Sequence, residues 1–182
     1  MPENKTYRMT NLYGHKKGFK DYGLSLPKEI KAQKQKLVLV DDRNNSFFYQ
    51  KPSIEDGGSG LVSSASDYLK FATMLLNKGS LKGKKILGEK YFTIMVSNQV
   101  EKKAKPFKFD PFGMGVTVGI ALDAKKMRLK RGNNSFFWGG AASTDFWVDP
   151  SNEIVFVNMS QSLGSPEILN KIEKLVYKSI GF

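Results

Sequence analysis

The sequence predicts an α+β fold, an antiparallel sheet flanked by helices. Three observations predict it: a helix with both ends marked, a run of short aromatic-rich strand patterns after it, and an amphipathic closing helix. The first 56 residues are irregular with short strands, clearest at Lys36 to Val40 and Ser46 to Gln50, joined by the turn-rich Asp41-Asp42-Arg43-Asn44-Asn45. A glycine loop, Gly57-Gly58-Ser59-Gly60, then leads into a helix over Ser66 to Lys78. Ser64 and Asp67 are spaced as a capping box, with Asp in place of Glu. Tyr68, Phe71, Ala72 and Leu75 form its apolar face, and Gly79 suits the left-handed residue after the last turn.

A loop over Gly79 to Leu87 leads to a short helix at Glu89 to Ser97. Strand patterns recur at Phe112 to Leu122, Met127 to Arg131, Ser135 to Gly140, Ser143 to Val148 and Ile154 to Ser160, with turns at Asn133-Asn134 and Pro150-Ser151-Asn152. Short links between neighbouring strands make them antiparallel. Pro166 opens the last helix, in which Ile168, Leu169, Ile172, Leu175 and Val176 are expected to face the core while Lys171, Lys174 and Lys178 stay solvated.

Length and composition set bounds on function. A chain of 182 residues with 40% hydrophobic and 12% aromatic content can bury one sizeable core, so one domain is expected over residues 1–182. Without cysteine there are no disulfides and no thiolate metal sites. No cofactor or metal is expected, because neither Asp41-Asp42 nor Glu55-Asp56 has the spacing of a metal or paired-carboxylate site. His15, the only histidine, sits in a basic turn with Gly14, Lys16 and Gly18 and reads as a solvated loop residue. No apolar run reaches membrane-spanning length and the first residues resemble no signal peptide, which leaves the compartment open.

The formal charge of +12 raises a basic anion- or nucleic-acid-binding module as an alternative function. The lysines gather in loops, at Lys82-Gly83-Lys84-Lys85, Lys102-Lys103-Ala104-Lys105 and Lys125 to Arg131, whereas the aromatics cluster with glycines. A nucleic-acid stacking platform interleaves the two, so solvated loops fit better.

The segment Trp138-Gly139-Gly140-Ala141-Ala142-Ser143-Thr144 is the most informative stretch of the sequence. Glycines inside a strand pattern mark a bulge or a place where a ligand or another backbone comes close. Trp138 can then wall one side of a pocket floored by main chain, although a core strand with a glycine bulge accounts for this stretch alone equally well.

Taken in order with the Gly57 to Gly79 segment, Leu81 to Met95, the Phe112-Gly113-Met114-Gly115-Val116 strand and Glu153 to Gln161, this segment resembles the C-terminal portion of the serine β-lactamase-like family, which includes penicillin-binding-protein-like esterases. The resemblance implies a partial β-lactamase/transpeptidase-like fold: an antiparallel sheet between helices, with a mostly helical region beside it and the active site in the groove between. The family's nucleophile lies in a Ser-x-x-Lys motif and its proton-handling tyrosine in Tyr-x-Asn. Tyr-x-Asn is absent, and Ser25-Leu26-Pro27-Lys28 matches the first motif only by letter, since Pro27 obstructs the helical turn that motif needs. The chain therefore contains no assignable nucleophile or general base. The expectation is a C-terminal portion whose missing N-terminal half is its partner, inactive by itself.

By resemblance, Trp138-Gly139-Gly140 occupies the place of the family's Lys-Thr-Gly or His-x-Gly motif, which makes the Ala141 N–H the candidate oxyanion donor and Trp138, Gly139 and Gly140 substrate-binding. Gly58 and Ser59 would line the acyl pocket, though a helix-entry role fits them as well. The implied substrate is a small ester, amide or β-lactam-like acyl compound. Trp138 in place of a cation tilts it toward uncharged esters, because an indole cannot pair with a carboxylate. A catalytically silent ligand-binding relative is the remaining alternative.

Overall fold

The computed structural model describes residues 3–15, 37–51, 53–55, 57–58, 60–101, 111–163 and 166–181. The chain gathers into two compact units. The first comprises Met1–Ser64, Gly140–Thr144 and Met159–Pro166, and the second comprises Ala65–Gly139, Asp145–Asn158 and Glu167–Phe182.

The first unit is built on a three-stranded sheet. Strand β1 (Leu12–His15) lies between β2 (Leu37–Asp41), antiparallel to it, and β10 (Ser162–Leu163), parallel to it. Val38 and Leu163 form its small core, with Leu12 and Val40 packed against them. Gly14 and His15 thus belong to a strand and not to the expected basic turn. Ser46 to Gln50, read as a strand, instead contains a 3-10 turn at Phe47–Tyr49. The cause is local: the Ser46 hydroxyl donates to Asp41 Oδ2 at 2.6 Å, and the Tyr49 N–H donates back to the Ser46 carbonyl at 3.1 Å. Asp42 takes the turn role expected of it, accepting from the Asn44 N–H at 3.0 Å.

The second unit is a five-stranded sheet with helices on both faces. Its order is β5 (Phe112–Met114), β6 (Gly119–Ala121), β7 (Phe136–Gly139), β8 (Thr144–Asp149), β9 (Ile154–Met159). The paired strands from β5 to β8 are antiparallel. Side chains alternate across the sheet, and Phe136, Phe146 and Val148 turn to one face with Ile120. There they meet Ala72, Met74 and Leu75 of α1 (Ala65–Leu76) and, more peripherally, Phe92, Met95 and Val96 of α2 (Glu89–Val96). Trp147, Asp145 and Asp149 turn to the other face, where Glu173 and Tyr177 of α3 (Pro166–Ser179) lie.

Helix α1 starts where its caps predict, at Ala65 after Ser64, and stops at Gly79, which takes φ +91° and donates to the Met74 carbonyl at 2.9 Å. A Cβ at Gly79 would collide with the Leu87 backbone, so this position admits glycine only. The following Gly79 to Leu87 segment is a hairpin of β3 (Ser80–Leu81) and β4 (Lys84–Lys85) rather than a loop. Its two connecting residues, Lys82 and Gly83, both have positive φ, the signature of a type I′ turn.

Two further expectations are corrected. Phe112 to Leu122 is two strands, folded back by a turn in which the Gly115 N–H bonds the Val118 carbonyl at 2.8 Å. Met127 to Arg131 alternates like a strand but is a loop. Asp123 caps its opening turn by accepting from the Lys126 N–H, Arg128 takes φ +58°, and the N–H groups of Lys130 and Arg131 are claimed by Glu173. With those donors already engaged, none remains to build a ladder.

Candidate functional site

Strand β7 pairs with β8 along its whole length, Phe136 to Val148 through Gly139 to Asp145. On its other side β6 pairs only with Phe136 and Phe137, because β6 begins at Gly119. Among the described residues β7 is thus an inner strand that becomes an edge over its last two residues, Trp138 and Gly139.

The hydrogen-bond alternation decides what that short edge offers. The Gly140 N–H donates to the Thr144 carbonyl at 2.8 Å, so the main-chain groups of Gly139, one residue earlier, point away from β8 toward the open side. Trp138 itself is 45% exposed, and Gly139, Gly140 and Ala141 are also exposed.

The chain then turns. The Ser143 N–H bonds the Gly140 carbonyl at 3.0 Å, with Ala141 and Ala142 as the central residues and Ser143 at φ +58°. This is the three-residue hairpin loop made of a turn and a left-handed residue. Ala141 is thus the first residue of the turn rather than a strand residue. Its N–H takes no partner among the described residues. Ser143 is buried and fixes the loop: its hydroxyl donates to the Ser162 carbonyl at 2.7 Å, its carbonyl accepts from the Ser160 hydroxyl, and the Ser162 N–H bonds the Ala142 carbonyl at 2.9 Å. A Cβ at Gly140 would clash with Thr144 Oγ1, so a side chain there requires that hydroxyl to move.

Of the other candidates, Gly58 is an exposed turn residue in the first unit, while Ser59 and the Ser25-Leu26-Pro27-Lys28 segment lie outside the described residues. Among the described residues, no group of three or more His, Cys, Asp or Glu side chains could hold a metal, and no helix is long and apolar enough to cross a membrane.

The chain belongs to the beta-lactamase family. The family model of that name matches residues 5–177, nearly all of the chain. Protein Rv1367c of Mycobacterium tuberculosis strain H37Rv is 32% identical over 119 residues, covering 60% of this chain and 30% of that protein. Among solved structures, the LovD6 mutant of simvastatin synthase (LovD) from Aspergillus terreus superposes with a TM-score of 0.70 at 16% identity, over 97% of this chain and 44% of that one. EstCE1, a hydrolase with promiscuous acyltransferase activity, gives 0.56 at 24% identity, over 66% of this chain and 31% of that one. The chain thus spans less than half the length of each of these relatives.

Sequence reasoning missed a buried ionic cluster on the far face of the same sheet. The Arg131 guanidinium lies 3.6 Å from Glu173 Oε2 and stacks over Phe137 at 4.3 Å, while its Nε and Nη1 have no hydrogen-bond partner among the described residues. Burial lowers its proton affinity, and Glu173 works in the opposite direction. Asp149 accepts from the Tyr177 hydroxyl at 2.6 Å, Asn152 Nδ2 at 2.7 Å and the N–H groups of Gly132 and Ser151 at 3.1 Å each. Burial first, then the bond to Asp149, drives the Tyr177 hydroxyl far above its ordinary pKa. Asp145, the register partner of Gly139, is pushed up to about 7, chiefly by burial and against the pull of Arg131. A signal for the cluster was present: Asp145, Trp147 and Asp149 fall on one face of β8, a pattern no solvated strand face explains.

Proposed function

We propose that this chain supplies the substrate-binding wall and oxyanion segment of a serine acyl hydrolase that works through an acyl-enzyme, with nucleophile and general base supplied by residues that this sequence lacks. The observation that carries the reading is the short edge at Trp138-Gly139 running into a turn whose first N–H, on Ala141, has no partner among the described residues. An acyl substrate can lie along that edge as an added strand, bonded to main chain, which glycines leave unobstructed. As the carbonyl is attacked, charge grows on its oxygen, and a fixed amide such as Ala141 N–H lowers the barrier; loss of one such donor costs about 2.7–4 kcal/mol. The bonds from Ser143 to Ser160 and Ser162 hold the turn without using that amide.

Family membership supports acyl chemistry, and the relatives described as a hydrolase with acyltransferase activity and as simvastatin synthase lend the same support. Trp138 offers an apolar, half-exposed wall and no cation, which favours neutral esters over anionic peptide termini. Gly58 and Ser59 are assigned to the acyl pocket on family position alone.

The isolated chain is expected to hydrolyse p-nitrophenyl acetate no faster than buffer and to form no adduct with an activated phosphonate or a penicillin, because an oxyanion site without nucleophile and base leaves only residual acceleration. Stoichiometric labelling of one of its own serines would overturn the reading. Reconstituted with a polypeptide carrying Ser-x-x-Lys and Tyr-x-Asn, it is expected to acylate, and Gly140→Val, which forces a branched side chain against Thr144, should cut the acylation rate by roughly 10²–10³. Normal acylation by the folded variant would remove the segment from the mechanism.

A further inference from the structure

Helix α3 presents an outer face that does not suit plain solvation. Lys171, Lys174, Leu175 and Lys178 fall on one stripe, at i, i+3, i+4 and i+7, and all four are exposed. Leu175, in the middle of the stripe, is 65% exposed, and Ile180 just beyond the helix is 49% exposed. The inner face is complete without them, since Glu173 and Tyr177 are buried beneath.

The loop over 124–131 is fastened to the same helix. The N–H groups of Lys130 and Arg131 both donate to Glu173 Oε1, at 2.8 and 3.4 Å, and the Arg131 guanidinium lies beside Glu173 Oε2. This anchors the exposed Lys125, Lys126, Arg128 and Lys130 on the element that carries the lysine stripe. The acids nearby offset little of that charge. Asp123 pairs with Lys126 at 3.4 Å and Glu153 is exposed at the β8–β9 turn, while Glu173, Asp149 and Asp145 are turned inward.

We propose that this face, the outer stripe of α3 with the adjoining 124–131 loop, is a peripheral docking surface for an anionic lipid surface. Charge complementarity supplies the attraction, and the exposed Leu175 and Ile180 supply apolar contact at the headgroup boundary, the combination by which a helix lies on a membrane without crossing it. A nucleic acid fits less well. It gains from aromatic stacking, and Tyr177, the aromatic among the described side chains of α3, is buried.

The test is co-sedimentation of the purified chain with vesicles of phosphatidylcholine, with and without phosphatidylglycerol, at low and high salt. Binding is expected only with the anionic lipid and should weaken with salt. Lys171→Glu/Lys174→Glu/Lys178→Glu should reduce it by about 10² or more, at roughly fivefold per lysine removed. Leu175→Ser should weaken binding while leaving its salt dependence unchanged, and circular dichroism should show both variants folded. Lys82→Glu/Lys84→Glu/Lys85→Glu, an equal change of charge on the β3–β4 hairpin, should have a much smaller effect. Equal binding to neutral vesicles, an equal loss with the hairpin variant, or duplex DNA binding that outcompetes the vesicles would each overturn the proposal. So would a stripe covered by a second copy of the chain, which would appear as an oligomer that Leu175→Ser dissociates, with no vesicle binding by either species.

Discussion

Asp145 shows most clearly how a single residue's surroundings set its chemistry. It belongs to β8 opposite Gly139, on the sheet face that buries Arg131 and Glu173, and desolvation raises its carboxyl to about pH 7. In the unfolded chain the group titrates near 3.8. Between about pH 4 and 7 the folded protein therefore holds a proton that the unfolded chain has released, so stability falls as pH rises through that window and levels off above it. A shift of this size corresponds to about 4 kcal/mol if the group were fully buried, and to about half that for a carboxyl that keeps some contact with solvent. Asp145→Asn is expected to abolish this slope, so that the melting temperatures of variant and parent diverge from pH 4 to 7 and agree below pH 4. A variant that kept the parent's pH dependence would show that Arg131 holds Asp145 ionised throughout.

At the scale of elements, α3 separates what periodicity can show from what it cannot. Pro166 and the apolar spacing mark the helix correctly, and the caps of α1 locate that helix to within a residue or two. The buried face of α3 is another matter. Periodicity puts Leu175 inside, whereas the structure exposes it and buries Glu173 and Tyr177, because Arg131 and Asp149 stand across the interface and need partners. The same contest explains the loop at Met127 to Arg131, which alternates like a strand but has its amides bound by Glu173. The candidate site divides in the same way: Trp138-Gly139-Gly140-Ala141 is visible in the sequence, but the late start of β6, at Gly119, which leaves the end of β7 without that partner, is a matter of pairing that local pattern does not encode. Helix docking should accordingly follow the polar contacts. Tyr177→Phe removes a hydrogen bond to a buried carboxylate and is expected to cost about 1.5–3 kcal/mol, while Leu175→Ala should cost under 1 kcal/mol. Urea unfolding of the two variants measures the order, and a larger loss from Leu175→Ala would restore the periodic reading.

For the molecule as a whole, the sheet of the second unit determines how the chain behaves in solution. Among the described strands β9 lies at one edge, and its six residues, Ile154-Val155-Phe156-Val157-Asn158-Met159, carry neither a charge nor a proline to discourage pairing with another chain. Both faces of β9 are engaged, with Phe156 stacked on Trp147 at 3.8 Å on one and Val155 and Val157 against the core of α1 and α2 on the other. The first unit adds large apolar side chains left in water, Leu61 at 82% and Ile54 at 80% exposure. The purified chain is therefore expected to self-associate at micromolar concentration, seen as a mass above 20.4 kDa by light scattering. Adding a polypeptide carrying Ser-x-x-Lys and Tyr-x-Asn, the half called for by the proposed function, should lower the degree of association, and Ile154→Lys, which sets a charge at the start of the edge strand, should lower it without that half. If the unmodified chain instead runs as a monodisperse monomer with one cooperative melt, the β9 edge is already protected, and the chain is stable without the half that the proposed hydrolase requires.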